Sequence, residues 1–132
     1  MPPNDCNGME EIKYDDLLCV PFKKGGRSKE GIDCYGLCIE MCRRCGKTLP
    51  DFTTFNEINP ANDSEKRGEF SRYVRQTDRA AKHGLVEYLN ADGEIHIGFL
   101  LDSKTYIHAT SGGVRISPLF ALKNPKFYEV EK

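Results

Sequence analysis

The sequence predicts a single α+β domain over residues 1–132. Segments with helical character occupy the first part of the chain, and five short strand-like segments separated by turn residues occupy the last part. This order is typical of helices packed on an antiparallel sheet. A chain of 132 residues with 39% hydrophobic and 30% charged residues has the size and composition of one globular domain.

Three segments of the first part are predicted to be helices. Residues 9–19 carry an imperfect apolar stripe, and residues 64–82 have the charge pattern of a surface helix. Between them, residues 34–45 follow Asp33, a good N-cap residue, and precede Gly46, which stands where a glycine ends many helices. A loop rich in glycine separates the first two helices.

The second part of the chain is predicted to form a meander of antiparallel strands. In these segments, apolar residues either alternate with polar ones or form a short run. Most of the segments are separated by glycine, aspartate or serine. The predicted strands are residues 84–89, 94–101, 105–110, 114–117 and 126–130.

Charge and hydropathy argue against several classes of protein. The formal net charge is −1, which gives no electrostatic reason to expect nucleic acid as a partner. No apolar run of about 18 residues is present, so no membrane span is expected. The first residues are polar and acidic and lack the pattern of a signal peptide. We therefore expect a protein that is cytoplasmic as synthesised, with reduced thiols.

Four of the six cysteines lie within residues 34–45, and this concentration has four possible explanations. These are a metal site, a disulfide cluster, a helix that uses cysteine in the core, and one reactive thiol among inert ones. On a helix, Cys34, Cys38, Cys42 and Cys45 fall within a stripe of roughly 80°. Such a row is not the tetrahedron of a zinc site, so no metal is predicted, and Cys38, Cys42 and Cys45 are interpreted as core residues.

Cys34 differs from the other three because it begins the helix. Unpaired backbone N–H groups at a helix start favour a thiolate, so we expect the pKa of Cys34 to be lowered. His96 and His108 lie in neighbouring predicted strands and face the same way if the strand register is even. A thiol and two histidines favour a nucleophile with a general base. His83 is interpreted as a surface residue.

Two segments of the chain resemble the NlpC/P60 family of papain-like cysteine peptidases. VPFKKGGRSKEGIDCYGLCIEM resembles the family's Pro-aromatic-x-x-Gly-Gly and Asp-Cys-Ser-Gly-Leu segment. IHIGFLLDSKTYIHATSGGVRIS resembles its His-Val-Gly-Ile-Tyr-Leu and Ile-His-Ala segment. The segments occur in family order and together span about residues 20–118.

The resemblance implies a papain-like core in which a nucleophile helix packs on a small antiparallel sheet. It implies that Cys34 is the nucleophile, His96 the general base and His108 the residue that orients His96. It also implies that Asp33 binds the free amino end of the substrate. The expected substrate is a stem peptide of bacterial peptidoglycan, cut between D-glutamate and the diamino acid, and the expected cofactor is none.

Three departures from the family pattern bear on the substrate pocket. Tyr35 stands where the family has serine, Phe22 stands where it has tyrosine, and no Gly-Asp pair precedes the first predicted strand near Gly84. Tyr35 and Phe22 are therefore expected to alter substrate binding. The alternatives are an acyltransferase or amidase on the same scaffold, a non-catalytic phage tail or structural module, and a thiol-based metal or redox module. The missing signal peptide fits delivery to the cell wall as a phage component, with phage tail proteins as partners.

Overall fold

The computed structural model describes residues 13–51, 64–90 and 93–131, and it has the predicted α+β class. Part of the predicted first helix lies outside these residues. Its described part forms only a short 3₁₀ helix at Asp15–Leu17. The other elements, in chain order, are β1 (Arg27–Ser28), β2 (Gly31–Ile32), α1 (Cys34–Arg44), α2 (Ser64–Ser71), β3 (Val74–Thr77), β4 (Leu85–Leu89), β5 (Ile95–Leu100), β6 (Thr105–Thr110), β7 (Gly113–Pro118), a 3₁₀ helix (Leu119–Ala121) and β8 (Lys126–Val130).

Helix α1 has the predicted ends, and local contacts explain both. The Asp33 carboxylate accepts a hydrogen bond of 2.7 Å from the amide of Gly36, which satisfies one free donor of the first turn. At the other end, Gly46 adopts φ of +76°, and the amide of Lys47 bonds to the carbonyl of Cys42. A left-handed glycine followed by such a bond is a common way to end a helix.

The predicted helix over 64–82 was too long. Helix α2 ends at Ser71, and β3 begins three residues later and pairs antiparallel with β8. Backbone hydrogen bonds with β8, at the far end of the chain, stabilise a strand here. They outweigh the charge pattern of this segment, which favours a helix. Strand propensity depends strongly on such context, and Val74 and Thr77 are β-branched residues that suit a sheet.

The six strands β3 to β8 form one antiparallel sheet in the order β3-β8-β4-β5-β6-β7. Strands β1 and β2 form a separate hairpin just before α1. All five predicted strands are present, with ends that differ by at most one residue. The sheet places β5 and β6, which carry the two strand histidines, next to each other near one side.

Helix α1 packs on one face of the sheet, and the main core lies between them. Its helix side includes Leu37, Cys38 and Met41, and its sheet side includes Ile97 and Phe99, all of them 0% exposed. The predicted burial of Cys38, Cys42 and Cys45 as free thiols is confirmed. On the other face of the sheet, a smaller apolar cluster consists of Val86, Tyr88, Leu100 and Tyr106.

The described residues contain neither a membrane-spanning helix nor a cluster of metal-binding side chains. No helix in residues 13–51, 64–90 and 93–131 is long and apolar enough to cross a membrane. Over the same ranges, no group of three or more histidine, cysteine, aspartate or glutamate side chains is arranged to hold a metal ion.

Candidate active site

Cys34 is the first residue of α1, and its side chain is buried, with 6% exposure. Burial raises the pKa of the Cys34 thiol to about 12. Backbone amides of Ile97, Tyr35 and Cys34 act in the opposite direction, while the nearby charge of Asp33 raises the pKa further. The expected lowering of this pKa is therefore wrong, because desolvation of the thiolate outweighs the helix start.

The two strand histidines lie on the same face of the sheet. Strands β5 and β6 pair at Phe99–Ile107 and Leu100–Tyr106, which is an even register. Because side chains alternate along a strand, His96 and His108 therefore share a face with Leu100 and Tyr106. An even register was the condition under which the sequence predicted that the two histidines face the same way.

Helix α1 covers the opposite face, where its first residue, Cys34, packs in the cluster that includes Ile97 and Phe99. The β5–β6 pairing covers only the last two residues of β5, which leaves the start of β5 without rungs to β6. Cys34 packs here in the same buried cluster as Ile97, the residue that directly follows His96. The Ile97 amide also acts to lower the pKa of the Cys34 thiol, although burial has the larger effect.

Glycine at position 98 lets β6 lie close to this part of β5. A Cβ atom built on Gly98 would come within 2.6 Å of the Tyr106 ring and 3.2 Å of the Ile107 carbonyl oxygen. Both distances are tighter than normal carbon contacts, so a larger residue would push β6 away. Gly98 therefore helps to fix the distance between the strands that carry His96 and His108.

His96 is partly exposed, with 16% of its side chain accessible. Its ring stacks on Tyr88, the residue opposite it on β4, with centroids 6.0 Å apart and planes 24° apart. Its Nε2 atom lies 3.3 Å from Nδ2 of Asn90 and 4.0 Å from Oε1 of Glu94. These contacts fix the ring plane and leave Nε2 facing the turn between β4 and β5.

His108 is buried and uses both ring nitrogens elsewhere. Nδ1 lies 3.0 Å from the hydroxyl of Tyr88, and Nε2 lies 2.8 Å from the hydroxyl of Ser117. Burial, with the nearby charges of Arg115 and His96, lowers the pKa of His108 to about 4. His108 is therefore neutral near pH 7, and its recorded hydrogen bonds do not include one to His96, contrary to the geometry expected from the sequence.

Asp33 is buried, with 3% exposure, and its carboxylate is fully engaged within the protein. Oδ1 accepts from the Gly36 amide at 2.7 Å and from Arg27 Nη1 at 2.9 Å, and Oδ2 accepts from the Gly25 amide at 2.9 Å. Asp33 thus acts as a cap and an ion-pair partner. This placement does not support the expected role of Asp33 as the residue that binds a substrate amine.

Tyr35 points into the core and is 0% exposed. Its hydroxyl donates a hydrogen bond to the carbonyl of Pro50, and its ring contacts Phe70 edge-on at 6.3 Å. The expected contact between Tyr35 and substrate is therefore not supported. The tyrosine in place of serine ties the loop after α1 to the core.

Phe22 is 40% exposed and lines a cavity whose lining does not include Cys34. The expected contact between Phe22 and substrate stays a prediction. The cavity has a volume of about 850 Å³. Its lining includes His96, His108, Tyr88 and Asn90. A cavity of this size can hold a short peptide segment or another ligand of similar volume.

Four further residues contact the site residues and were not predicted from the sequence: Arg27, Tyr88, Asn90 and Ser117. A signal was available for Tyr88, because an even pairing of the first two predicted strands would place it beside His96. Arg27 was visible only as part of a basic run in the glycine-rich loop. Asn90 and Ser117 carry no motif, and their contacts depend on the strand pairing that forms on folding.

Together, a nucleophile-type cysteine at the start of a helix and histidines on an adjacent antiparallel sheet define a papain-like α+β protein. A model of the NlpC/P60 family matches residues 19–128. The chain belongs to the NlpC/P60 family.

Solved structures agree with this fold. The NlpC/P60 domain of the peptidoglycan hydrolase SagA is 19% identical, with a TM-score of 0.56, over 86% of this chain and 88% of that chain. An NlpC/P60 family protein from Bacillus cereus ATCC 10987 is 21% identical, with a TM-score of 0.60, over 87% of this chain and 36% of that longer chain. A search of curated protein sequences gave no match.

Proposed function

We propose that this protein is a cysteine peptidase that hydrolyses an amide bond in peptidoglycan stem peptides, with the bond between D-glutamate and the diamino acid as the first candidate. The observation that carries the proposal is the position of Cys34 at the start of α1, in the same buried cluster as Ile97, the residue next to His96. Membership of the NlpC/P60 family supports the reaction class and the substrate class.

In the proposed mechanism, His96 is the general base and Cys34 the nucleophile. The Cys34 thiol is neutral in the free protein, so His96 takes its proton as the sulfur attacks the carbonyl carbon. A carbon–sulfur bond forms, and the carbonyl oxygen becomes an oxyanion. The amides of Cys34 and Tyr35, at the start of α1, are the candidate donors to that oxygen.

The second half of the reaction restores the enzyme. The protonated His96 gives its proton to the leaving amine, and the carbon–nitrogen bond breaks to leave a thioester on Cys34. Water activated by His96 then attacks the thioester, which releases the carboxylate product and returns the proton to the sulfur. All of these steps use side chains and backbone groups of this chain.

The hydrogen bonds that the Asp33 carboxylate accepts within the protein favour a second candidate substrate. Because Arg27 and two amides occupy Asp33, this residue provides no free charge for a terminal amine. An amide whose acyl part lacks a free amine, such as a stem peptide still linked through its first residue, fits that arrangement. This candidate includes an amidase or acyltransferase on the same scaffold.

The test is incubation of the purified protein with defined stem peptides, with free or acetylated N-termini, and identification of products by mass spectrometry. We expect cleavage by the wild type and none by Cys34→Ala, because no other group can form the thioester. Cleavage of only the acetylated peptides would favour the second candidate. Intact peptides in every case, with a correctly folded protein, would contradict hydrolysis of stem peptides.

A further inference from the structure

The cavity that His96 lines also carries a lysine that no motif predicts. Lys123 lies two residues after the 3₁₀ helix Leu119–Ala121 and is part of the cavity lining. Its side chain is exposed, and within residues 13–51, 64–90 and 93–131 it forms no ion pair or hydrogen bond. Its ammonium group is therefore available to a ligand that enters the cavity.

The backbone that leads to Lys123 is held against the sheet. Leu119 and Leu122 pack against the smaller apolar cluster, on the face of the sheet that carries His96. The Leu119 amide donates to the carbonyl of Lys104 at 2.8 Å, and the Leu122 amide donates to the Leu119 carbonyl at 3.0 Å. Lys123 thus starts from a defined position on the cavity wall, while its flexible side chain can adjust to a ligand.

The charges of the lining favour an anionic group near Lys123. Among the lining residues that the structure describes, Lys123 is the lysine and Glu94 the carboxylate. Glu94 Oε1 lies 4.0 Å from Nε2 of His96, so a negative group of a ligand is repelled from that part of the cavity. A ligand carboxylate is therefore more favourable beside Lys123 than beside Glu94.

We propose that Lys123 binds a carboxylate of the substrate and so selects acidic stem peptides over their amidated forms; this rests on the proposed function of the site that contains His96. Glutamate has two carboxyl groups, and only one of them takes part in the bond to the diamino acid. The other carboxyl of the glutamate and the terminal carboxyl of the diamino acid are the two sources of the anion. A carboxamide at either place keeps the shape but carries no charge for the ammonium to bind.

The first test measures binding by calorimetry, with Cys34→Ala as the parent protein so that no peptide is consumed. The probes are three acetylated tripeptides of L-alanine, D-glutamate and a diamino acid: the free acid, the form amidated at glutamate and the form amidated at the C-terminus. We expect one amidated form to bind about fivefold more weakly than the free acid, which identifies the carboxylate that is bound.

Variants of Lys123 in the same parent connect this difference to the lysine. Lys123→Met should weaken binding of the free acid by the same factor and leave the affinity for that amidated form unchanged. Lys123→Arg, which keeps the charge, should restore the preference for the free acid. Lys126→Met is the matched control, because Lys126 is an exposed lysine at the start of β8 that does not line the cavity. It should leave all three affinities unchanged.

Three results of the binding test would overturn the proposal. These are equal affinity for the three peptides, an equal loss of affinity in Lys123→Met and Lys126→Met, and no binding of any peptide by the folded parent.

Hydrolysis of the same peptides by the protein with an intact Cys34 separates this proposal from the proposed function. We expect Lys123→Met to raise KM about fivefold with little change in kcat, because a lysine that only holds the substrate stabilises the ground state and the transition state alike. Cleavage with the same KM in wild type and Lys123→Met would overturn the role of Lys123 and leave the peptidase function in place. Binding that depends on Lys123, without cleavage, would support the role of Lys123 and contradict hydrolysis.

Discussion

Arg27 forms an ion pair with Asp33, with Nη1 of the guanidinium 2.9 Å from Oδ1 of the carboxylate. Gly36 makes this contact possible. A Cβ atom there would lie 2.4 Å from the Gly26 carbonyl oxygen and 2.9 Å from Nη1 of Arg27. Gly36, two residues after Cys34, thus allows the loop to close over the start of α1.

We predict that Asp33→Asn lowers the free energy of unfolding by about 2 kcal/mol, because it removes a charged hydrogen-bond acceptor from a buried site. Urea denaturation measures this change. Asp51→Asn is the control: Asp51 is the exposed partner of Arg27, and its loss should change stability by less than about 0.5 kcal/mol. A selective rise in KM for peptides with a free amine, at unchanged stability, would instead show that Asp33 binds substrate.

Tyr35→Phe should lower the free energy of unfolding by about 1 kcal/mol, because the Pro50 carbonyl loses its partner. Tyr35→Ser should cost about 3–5 kcal/mol, since it also leaves a cavity beside Phe70. Chemical denaturation of both variants checks that Tyr35→Ser loses more stability than Tyr35→Phe. KM for any cleaved peptide should be the same in Tyr35→Phe and wild type; improved cleavage by Tyr35→Ser would place this side chain in the substrate pocket.

His108 should make the protein sensitive to acid. Folding lowers its pKa from an ordinary value of 6.5 to about 4, so its contribution to stability is complete above about pH 6.5 and is lost as the pH falls toward 4. We expect the melting temperature to fall over this window in the wild type. His108→Asn should show a smaller slope there, measured against its own value at neutral pH. An equal slope in both proteins would exclude His108 as the cause.

Cys34 should react slowly with iodoacetamide at and below neutral pH, because burial raises its pKa to about 12 and only the thiolate reacts. Its labelling rate should rise steadily into the alkaline range. Cys19, which is exposed, is the internal control within the same sample. Peptide mapping after timed labelling separates the two sites. Faster labelling of Cys34 than of Cys19 at about pH 6 would indicate a thiolate paired with imidazolium in the free protein.

The parts of the fold that the sequence predicted correctly depend on local signals. Helix α1 begins after a cap residue, Asp33, and ends before Gly46. The predicted strands alternate or concentrate apolar residues, and turn residues separate them. Strand β3 was not predicted, because it forms by pairing with β8, which lies at the far end of the chain. No pattern within residues 74–77 reveals such a partner.

At the candidate site, the identity of the residues could be predicted from the sequence, but their surroundings could not. The motif located Cys34, His96 and His108, and an even register was the condition stated for the two histidines to share a face. The surroundings of these residues could not be predicted, because they depend on packing. The pKa of Cys34 was expected to be lowered by the helix start, but desolvation has the larger effect once the sheet covers the thiol.

The packing of Cys34 against Ile97 has a consequence for folding. Helix α1, which carries Cys34, comes early in the chain, whereas Ile97 belongs to a strand that must first find its neighbours in the sheet. Contacts between such distant segments form slowly, because the intervening chain must be ordered first. A newly made or refolding chain therefore exposes an inactive thiol before the imidazole arrives. Recovery of hydrolysis after dilution from denaturant should consequently lag behind recovery of helix.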